Sequence, residues 1–309
     1  MNISGILLAM QGAVSQGVLW GIMVLGVYIT YKILDIADLT VDGSFALGGC
    51  VCAILVVEKG VDPVLALIIA TVAGMIAGGV TGALHTIFDI PAILAGILTQ
   101  IGLWSINLRI MGGKANVALS ANKYDLLVTL RNVRKLSFDN PILLLVIFTA
   151  AIIVLLYLFF GTEYGSAMRA TGSNANMSRA QGINTDFAKV VGLMLSNGIV
   201  ALSGALLAQY QGFADVSMGR GAIVVGLAAV IIGEVVFGKL FRSFAGKLLA
   251  VSLGAVIYYI VMQVVLWLGL NTNDLKMLTA LVVAMFLAIP FWKGKIAASR
   301  LSKGGKANA

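Results

Sequence analysis

Long runs without charge, each of about 17 to 25 residues, alternate along this chain with connections that hold nearly all the Asp, Glu, Lys and Arg. At 1.5 Å per residue a run of that length crosses a hydrocarbon core of about 30 Å as a helix, which satisfies its own backbone polar groups there. The alternation a transmembrane β-strand needs is missing. The expected fold class is therefore all-α: a polytopic membrane protein with one transmembrane domain over residues 1–309. Spans are placed near 14–32, 43–58, 63–86, 91–111, 140–160, 186–210, 220–237, 246–268 and 275–292. That makes about nine crossings, with the apolar segment 2–13 either a tenth or an interfacial helix. The composition, 60% hydrophobic and 11% charged, lies outside the range of soluble domains. Thirty-six glycines against four prolines suit helices packed backbone to backbone.

Several starts are marked locally. Pro63, Pro91 and Pro141 each stand at the first turn of a span, with Asp62, Asp89 and Asp139 just ahead as expected caps. Sidedness follows from Lys and Arg in the short connections. The basic tail 293–309 and the loop 238–247 are expected in the cytoplasm, which puts 161–185 there too and 58–62 and 211–221 outside. The connection 112–139 conflicts with this count: it carries Lys114, Lys123, Arg131, Arg134 and Lys135, yet falls outside. The expected arrangement is a multi-pass membrane protein with the C-terminus cytoplasmic. The opening MNISGILLAMQG lacks a basic n-region and a cleavage site, so no removable signal peptide is expected.

The net charge of +8 does not imply nucleic acid, because the basic residues are scattered between spans and do not gather with aromatics on one face. Cys50 and Cys52 are too close for an ordinary disulfide and lack His or acidic companions, so they read as buried small hydrophobes and no metal site is expected. A phosphate-binding loop needs Gly-Lys followed by Ser or Thr, and no Gly-Lys here has either. His85 has no Ser-His-Asp or His-Glu grouping around it and reads as an interfacial anchor, so the chain is not expected to be an enzyme. DGSFALGG at 42–49 and DVSMGRGAIVVG at 215–226 echo each other, each a polar opening with Asp and Ser followed by glycines that leads into a span. An inverted internal repeat of the kind found in transporters would leave such a trace.

The passage MRATGSNANMSRAQGINTDFAK, residues 168–189, is polar amid apolar runs and carries its own start and stop signals. Ser173 or Asn174 fits an N-cap, ANMSRAQ about two turns, Gly182 a left-handed stop, and Asn184 or Thr185 the cap of the next span. Two readings fit: a capped turn whose Arg169 and Arg179 anchor at headgroups, or a rigid knob offered to a cytoplasmic partner.

The run RATGSNANMSRAQGI (169–183), followed by ALSGALLAQYQG (201–212) and GLAAVIIGE (226–234), resembles the permease subunits of bacterial ABC importers of the ribose and branched-chain amino-acid class. DGSFALGG and IPAILAGILTQIGL (90–103) fit the same pattern, and the likeness runs from about 14 to 290. Within that class, DIADLTVDGSFALGG (35–49) is most similar to the tryptophan- and tyrosine-type permeases. The resemblance implies a dimerising permease that receives a small solute from an external binding protein and is driven by a separate ATPase subunit, which holds the ATP and Mg. It also implies that Arg169, Gly172, Ser173, Asn174, Arg179, Gly182 and Ile183 form the ATPase-coupling segment. The departure is Gly233 and Glu234, where relatives often show a Gly-Gly pair; Glu234 reads as a structural or interfacial carboxylate.

The alternative is an ion-gradient-driven carrier, which would need acids within its spans. Asp35, Asp38, Asp42, Asp62, Asp89, Asp139, Asp186, Asp215 and Asp274 all fall at expected span ends, and only Glu234 comes close. Residues that could line the path are Gln100, Asn107, Ser196, Asn197 and Gln263, with Ser105, Ser203 and Gln209 beside them. Asn197, mid-span between Ser196 and Gly198, is the first choice. Hydrogen bonding between helices is the competing use of these side chains.

Overall fold

A computed structural model describes residues 3–130 and 140–268, together with residues 277, 279–281, 283–285 and 288. Helix α1 (Ile3–Tyr28) continues as a π-helical turn (Ile29–Ile33), and α2 (Thr40–Val57), α3 (Pro63–Thr86) and α4 (Ala92–Ile110) follow. After strand β1 (Asn116–Ala118) come α5 (Pro141–Gly161), α6 (Glu163–Ser173), α7 (Ala175–Ala180) and α8 (Thr185–Gln211). Strand β2 (Phe213–Asp215), α9 (Ala222–Phe237) and α10 (Phe244–Trp267) complete the described elements. Seven of these helices are long and apolar enough to cross a membrane, and α9 is apolar but shorter. Residues 3–13 do not form a helix apart: they are the opening of α1. The span expected at 275–292 lies largely outside the described residues, as do Asp139 and the basic tail.

Local chemistry explains most starts. The Asp62 carboxylate accepts from the amides of Val64 (2.8 Å) and Leu65, and Pro63 opens α3. At α5 the cap is Asn140, whose Oδ1 accepts from Ile142 N at 2.9 Å. Asp89 does not cap α4: its φ of 54° makes it a left-handed turn residue, and Pro91 occupies the cap position. Asp and Asn are the side chains best able to hold that conformation after Gly.

The bundle has a buried centre and an outer ring. Helices α1, α2 and α8 are mostly covered, whereas α3, α4 and α5 turn Ile76, Ile101 and Leu155 outward, as a lipid-facing helix must. The tightest seam is between α3 and α8. Gly74, Gly78 and Gly82 recur every fourth residue on one face of α3, and a Cβ on either of the first two would collide with the carbonyls of Asn197 and Leu193. Cys50 and Cys52 are buried free thiols, as expected.

The two ends of the bundle can be told apart. β1 pairs antiparallel with β2 (Val117 opposite Ala214), so the connection after α4 lies at the same end as the α8–α9 connection. The Gln209 side chain bridges this end, donating to Pro63 O at 3.4 Å and accepting from Leu127 N at 3.2 Å. This agrees with the sidedness count, in which 112–139 and 211–221 share a side despite the basic residues. The opposite end carries α6, α7 and the π-helical turn, where Lys32 Nζ pairs with Glu234 at 3.0 Å. His85 also lies at the α3–α4 turn, accepting from Lys189 Nζ at 3.2 Å and donating through Nδ1 to Ile90 O at 2.8 Å. It anchors one helix end to another.

Candidate functional site

The segment between α5 and α8 is built almost entirely from its own caps. Thr162 Oγ1 accepts from Gly165 N and starts α6. Asn174, extended at φ −159° and ψ 96°, breaks the chain between α6 and α7, and its Oδ1 accepts from Met177 N at 3.0 Å. Ser178 Oγ donates back to Asn174 O at 2.9 Å. Gly182, at φ 81°, ends α7, and Ile183 N donates to Ser178 O at 3.0 Å. Asn184 then caps α8 through Phe187 N at 3.0 Å. Each turn residue thus closes one helix or opens the next, and Met168, Thr171 and Ser178 are buried beneath these turns. Ser173, Asn174, Met177, Arg179 and Gly182 are exposed, and Ile183 is half-buried beside Phe187. The eleven-residue helix α6 in front of the knob was not anticipated.

The two arginines do different things. Arg179 folds back, its Nε and one terminal nitrogen donating to Thr185 Oγ1 at 3.2 and 2.8 Å, with Asp186 at 3.5 Å. Arg169 lies over the Phe244 ring at 5.8 Å and faces a cavity of about 690 Å³ shared with Lys32, Glu234, Arg242 and Lys247. Gly172 sits behind the knob, where a Cβ would strike the carbonyl of Ile33 at the end of the π-helical turn. On α8, Gly192 leaves room for the Leu34 side chain. The capped segment therefore bears directly on residues 33–39, the connection into α2.

That connection ends in a buried carboxylate. Asp38 is 2% exposed; its Oδ1 accepts from Thr40 N at 2.9 Å and its Oδ2 from Asn197 Nδ2 at 2.7 Å. Asn197 also donates to Leu193 O at 3.0 Å, tying the carboxylate to the backbone of α8. From Thr40 on α2 a hydroxyl chain runs to Thr81 on α3 at 2.7 Å and on to Thr99 on α4 at 2.9 Å. At 1.5 Å per residue, Asn197 lies about 18 Å along α8 and about 21 Å from its far end, so this polar group is deep in the bundle.

One turn further along, Asp42 does for α9 what Asp38 does for α2. Its two carboxylate oxygens accept from Gly221 N and Ile223 N, each at 2.9 Å, at the first turn of α9. Gly219 packs against the Asp42 carbonyl. The α8–α9 connection thus dips from the ribbon end into the bundle, and α2 and α9 begin side by side and leave in opposite directions. A helix start inside a bundle presents unsatisfied N–H groups and a positive dipole end, which Asp42 answers with charge. The two echoing sequence segments are the two that meet here.

Beside this junction is a cavity of about 410 Å³ lined by Asp42, Gln100, Trp104, Ser105, Asn107 and Arg220, among others. Arg220 stacks over the Trp104 ring at 4.4 Å and also borders a second cavity, of about 640 Å³, with Gln16, Tyr258, Tyr259 and Gln263. Of the residues singled out from sequence, Gln100, Ser105 and Asn107 therefore come together, and Gln263 faces the neighbouring cavity. Asn197 bonds Asp38 instead. Ser196 donates to Gly26 O at 2.8 Å and Ser203 to Leu19 O at 2.9 Å, both helix-to-helix bonds. Asp38, Asp42 and Asp215 were read as span-end acids, and Trp104 and Arg220 not at all. The echo around Asp42 was the only signal that could have pointed to the junction.

Helices that start inside a membrane bundle, beside polar groups, are a feature of transporters. Over residues 9–290 the chain matches the family described as branched-chain amino acid transport system / permease component, and it belongs to that family. It is 42% identical to the "Tyrosine transport system permease protein" of Clostridioides difficile, over 90% of this chain and 91% of that one. It is 33% identical to an uncharacterized protein of Rickettsia prowazekii, over 89% and 95% of the two chains. To the "Inner membrane ABC transporter permease protein YjfF" of Escherichia coli it is 24% identical, over 86% and 79%. The chain is a multi-pass permease subunit of an ABC-type importer.

Proposed function

We propose that this permease passes an amino acid, with tyrosine the first candidate, from an external solute-binding protein to the cytoplasm, energised by a separate ATPase subunit that binds ATP and Mg. The ATPase docks on the exposed knob formed by Ser173, Asn174, Arg179, Gly182 and Ile183, with Gly172 and Arg169 behind it. The knob end and the C-terminus are cytoplasmic, and the binding protein meets the ribbon end. A second permease copy completes the path, α2 and α9 are the related halves of an inverted pair, and lipid surrounds the outer ring. The observation that carries this reading is the contact of Gly172 on Ile33, which links a self-capped, exposed segment to the connection bearing Asp38. Closure of the ATPases pushes α6 and α7; that movement shifts residues 33–39 against α8 and repacks the junction of α2 and α9. Ser105 and Arg220 are exposed although they lie beside the buried junction, and a charge in that position belongs to a water-filled path rather than lipid.

Pull-down from native membranes in mild detergent tests the assembly. An ATPase subunit should be recovered in stoichiometric amount and lost when residues 173–182 are scrambled in a chain that still inserts. Recovery of the permease without any ATPase, under conditions that keep other membrane complexes intact, would overturn it.

A further inference from the structure

We propose that the cavity between α4 and the dipping α8–α9 connection is a solute station within the permease, which holds a zwitterionic amino acid by its carboxylate at Arg220 and by its ammonium at Asn107. The inference rests on the transport reading above and adds selectivity of the permease's own to that of any binding protein.

Arg220 is prepared for an anion. Its guanidinium carbon lies 4.4 Å over the Trp104 ring, a cation–π contact that restrains the side chain beside the cavity. Among the described residues no carboxylate lies within ion-pair distance of it. The nearest acid lining the cavity, Asp42, already spends both oxygens on the α9 amides. A cation that faces a cavity without a counter-charge among the described residues can take one from a ligand, and a bidentate carboxylate matches its donor fork.

Asn107 supplies the second, independent sign of a ligand. It is 1% exposed and lines the same cavity; its Nδ2 makes a long bond of 3.4 Å to Gly43 O, and its Oδ1 has no partner among the described residues. A buried amide oxygen left without a donor is costly, and a donor arriving with a ligand removes that cost. An ammonium group provides it. Gln100 and Ser105 offer further polar contacts around the cavity, and its volume of about 410 Å³ lies in the range of small-molecule sites.

The experiment uses the full-length permease in lipid nanodiscs and three probes: L-tyrosine, tyramine, which lacks the carboxylate, and 3-(4-hydroxyphenyl)propionate, which lacks the ammonium. Direct binding should be saturable for L-tyrosine and at least about tenfold weaker for either analogue, the size expected for one charged hydrogen-bonding group. Arg220→Gln should abolish the preference for tyrosine over tyramine, and Arg220→Lys should restore part of it. Asn107→Leu should abolish the preference over the propionate and leave that over tyramine. Equal binding of all three probes, no binding of any, or preferences unchanged in both variants would overturn the proposal. ATP-driven uptake by the complete complex separates the two levels. If uptake is present and the binding preferences are absent, the station fails while the transport reading stands; if no solute is taken up on addition of ATP, both fall.

Discussion

The capped segment at residues 162–184, which carries the knob, and the junction of α2 with α9 are both made of capped helix starts, but their caps are held in opposite ways. In the knob every cap lies within a few residues of the amide it serves: Thr162 to Gly165, Asn174 to Met177, Asn184 to Phe187. In the junction the partners are remote in sequence, Asn197 to Asp38 across 159 positions and Gly221 to Asp42 across 179. The first is shaped by its own caps and rests on the bundle through Met168 and Gly172, so a push on it is passed to the helices beneath. The second exists only while α2, α8 and α9 stay packed, so a push that moves those helices must change it.

Substitutions should therefore divide by what they damage. The largest loss is expected at the seam beneath the junction: Gly78→Leu drives a side chain into the Leu193 carbonyl and should cost about 3 kcal/mol. Thermal unfolding in detergent would show this as a lowered midpoint, and an unchanged midpoint would mean that α3 and α8 are not in close contact. Next comes Asn197→Leu, which takes from the buried Asp38 carboxyl the donor that ties it to α8. A loss of about 2 to 3 kcal/mol is expected, recovered in part by adding Asp38→Asn. Failure of the second change to restore stability would remove Asp38 from the account.

The knob should behave differently. Gly182→Val places a β-branched residue at φ 81°, with local strain of roughly 1 to 2 kcal/mol. The midpoint of the bundle should barely move, while solute uptake per ATP hydrolysed falls sharply in the reconstituted complex. Asn174→Ala removes one cap worth about 1 kcal/mol and should reduce the same ratio less. Glu234→Gln is expected to change stability by no more than about 0.5 kcal/mol, because its pair with Lys32 is half-exposed. If Gly182→Val lowered stability as much as Gly78→Leu, the distinction between self-held and bundle-held regions would be lost.

The same distinction explains what could be read from sequence. Spans 63–86 and 186–210, the cap at Asp62, and the Asn174, Gly182 and Asn184 signals are local, and the structure places them within a residue of expectation. The π-helical turn at 29–33, the depth of Asp38 and the cap of α9 by Asp42 depend on neighbours from the other half of the chain, which periodicity does not register. Arg220 reads in sequence as an ordinary loop arginine. Only the dip of its loop into the bundle brings it against Trp104. For α9 the apolar run was recognised as a crossing, whereas its start within the bundle follows from Gly219 packing against Asp42.

The most direct test of the knob as the point of energy input uses Met177, which is 64% exposed on α7. Because Cys50 and Cys52 are buried, Met177→Cys introduces an accessible thiol at the tip of the knob. In native membranes that express the transporter, a short thiol-to-amine cross-linker should join this chain to an ATPase subunit, and the yield should change when ATP is trapped. A thiol that maleimide labels freely in the assembled membrane, with no cross-linked ATPase in any nucleotide state, would contradict the account.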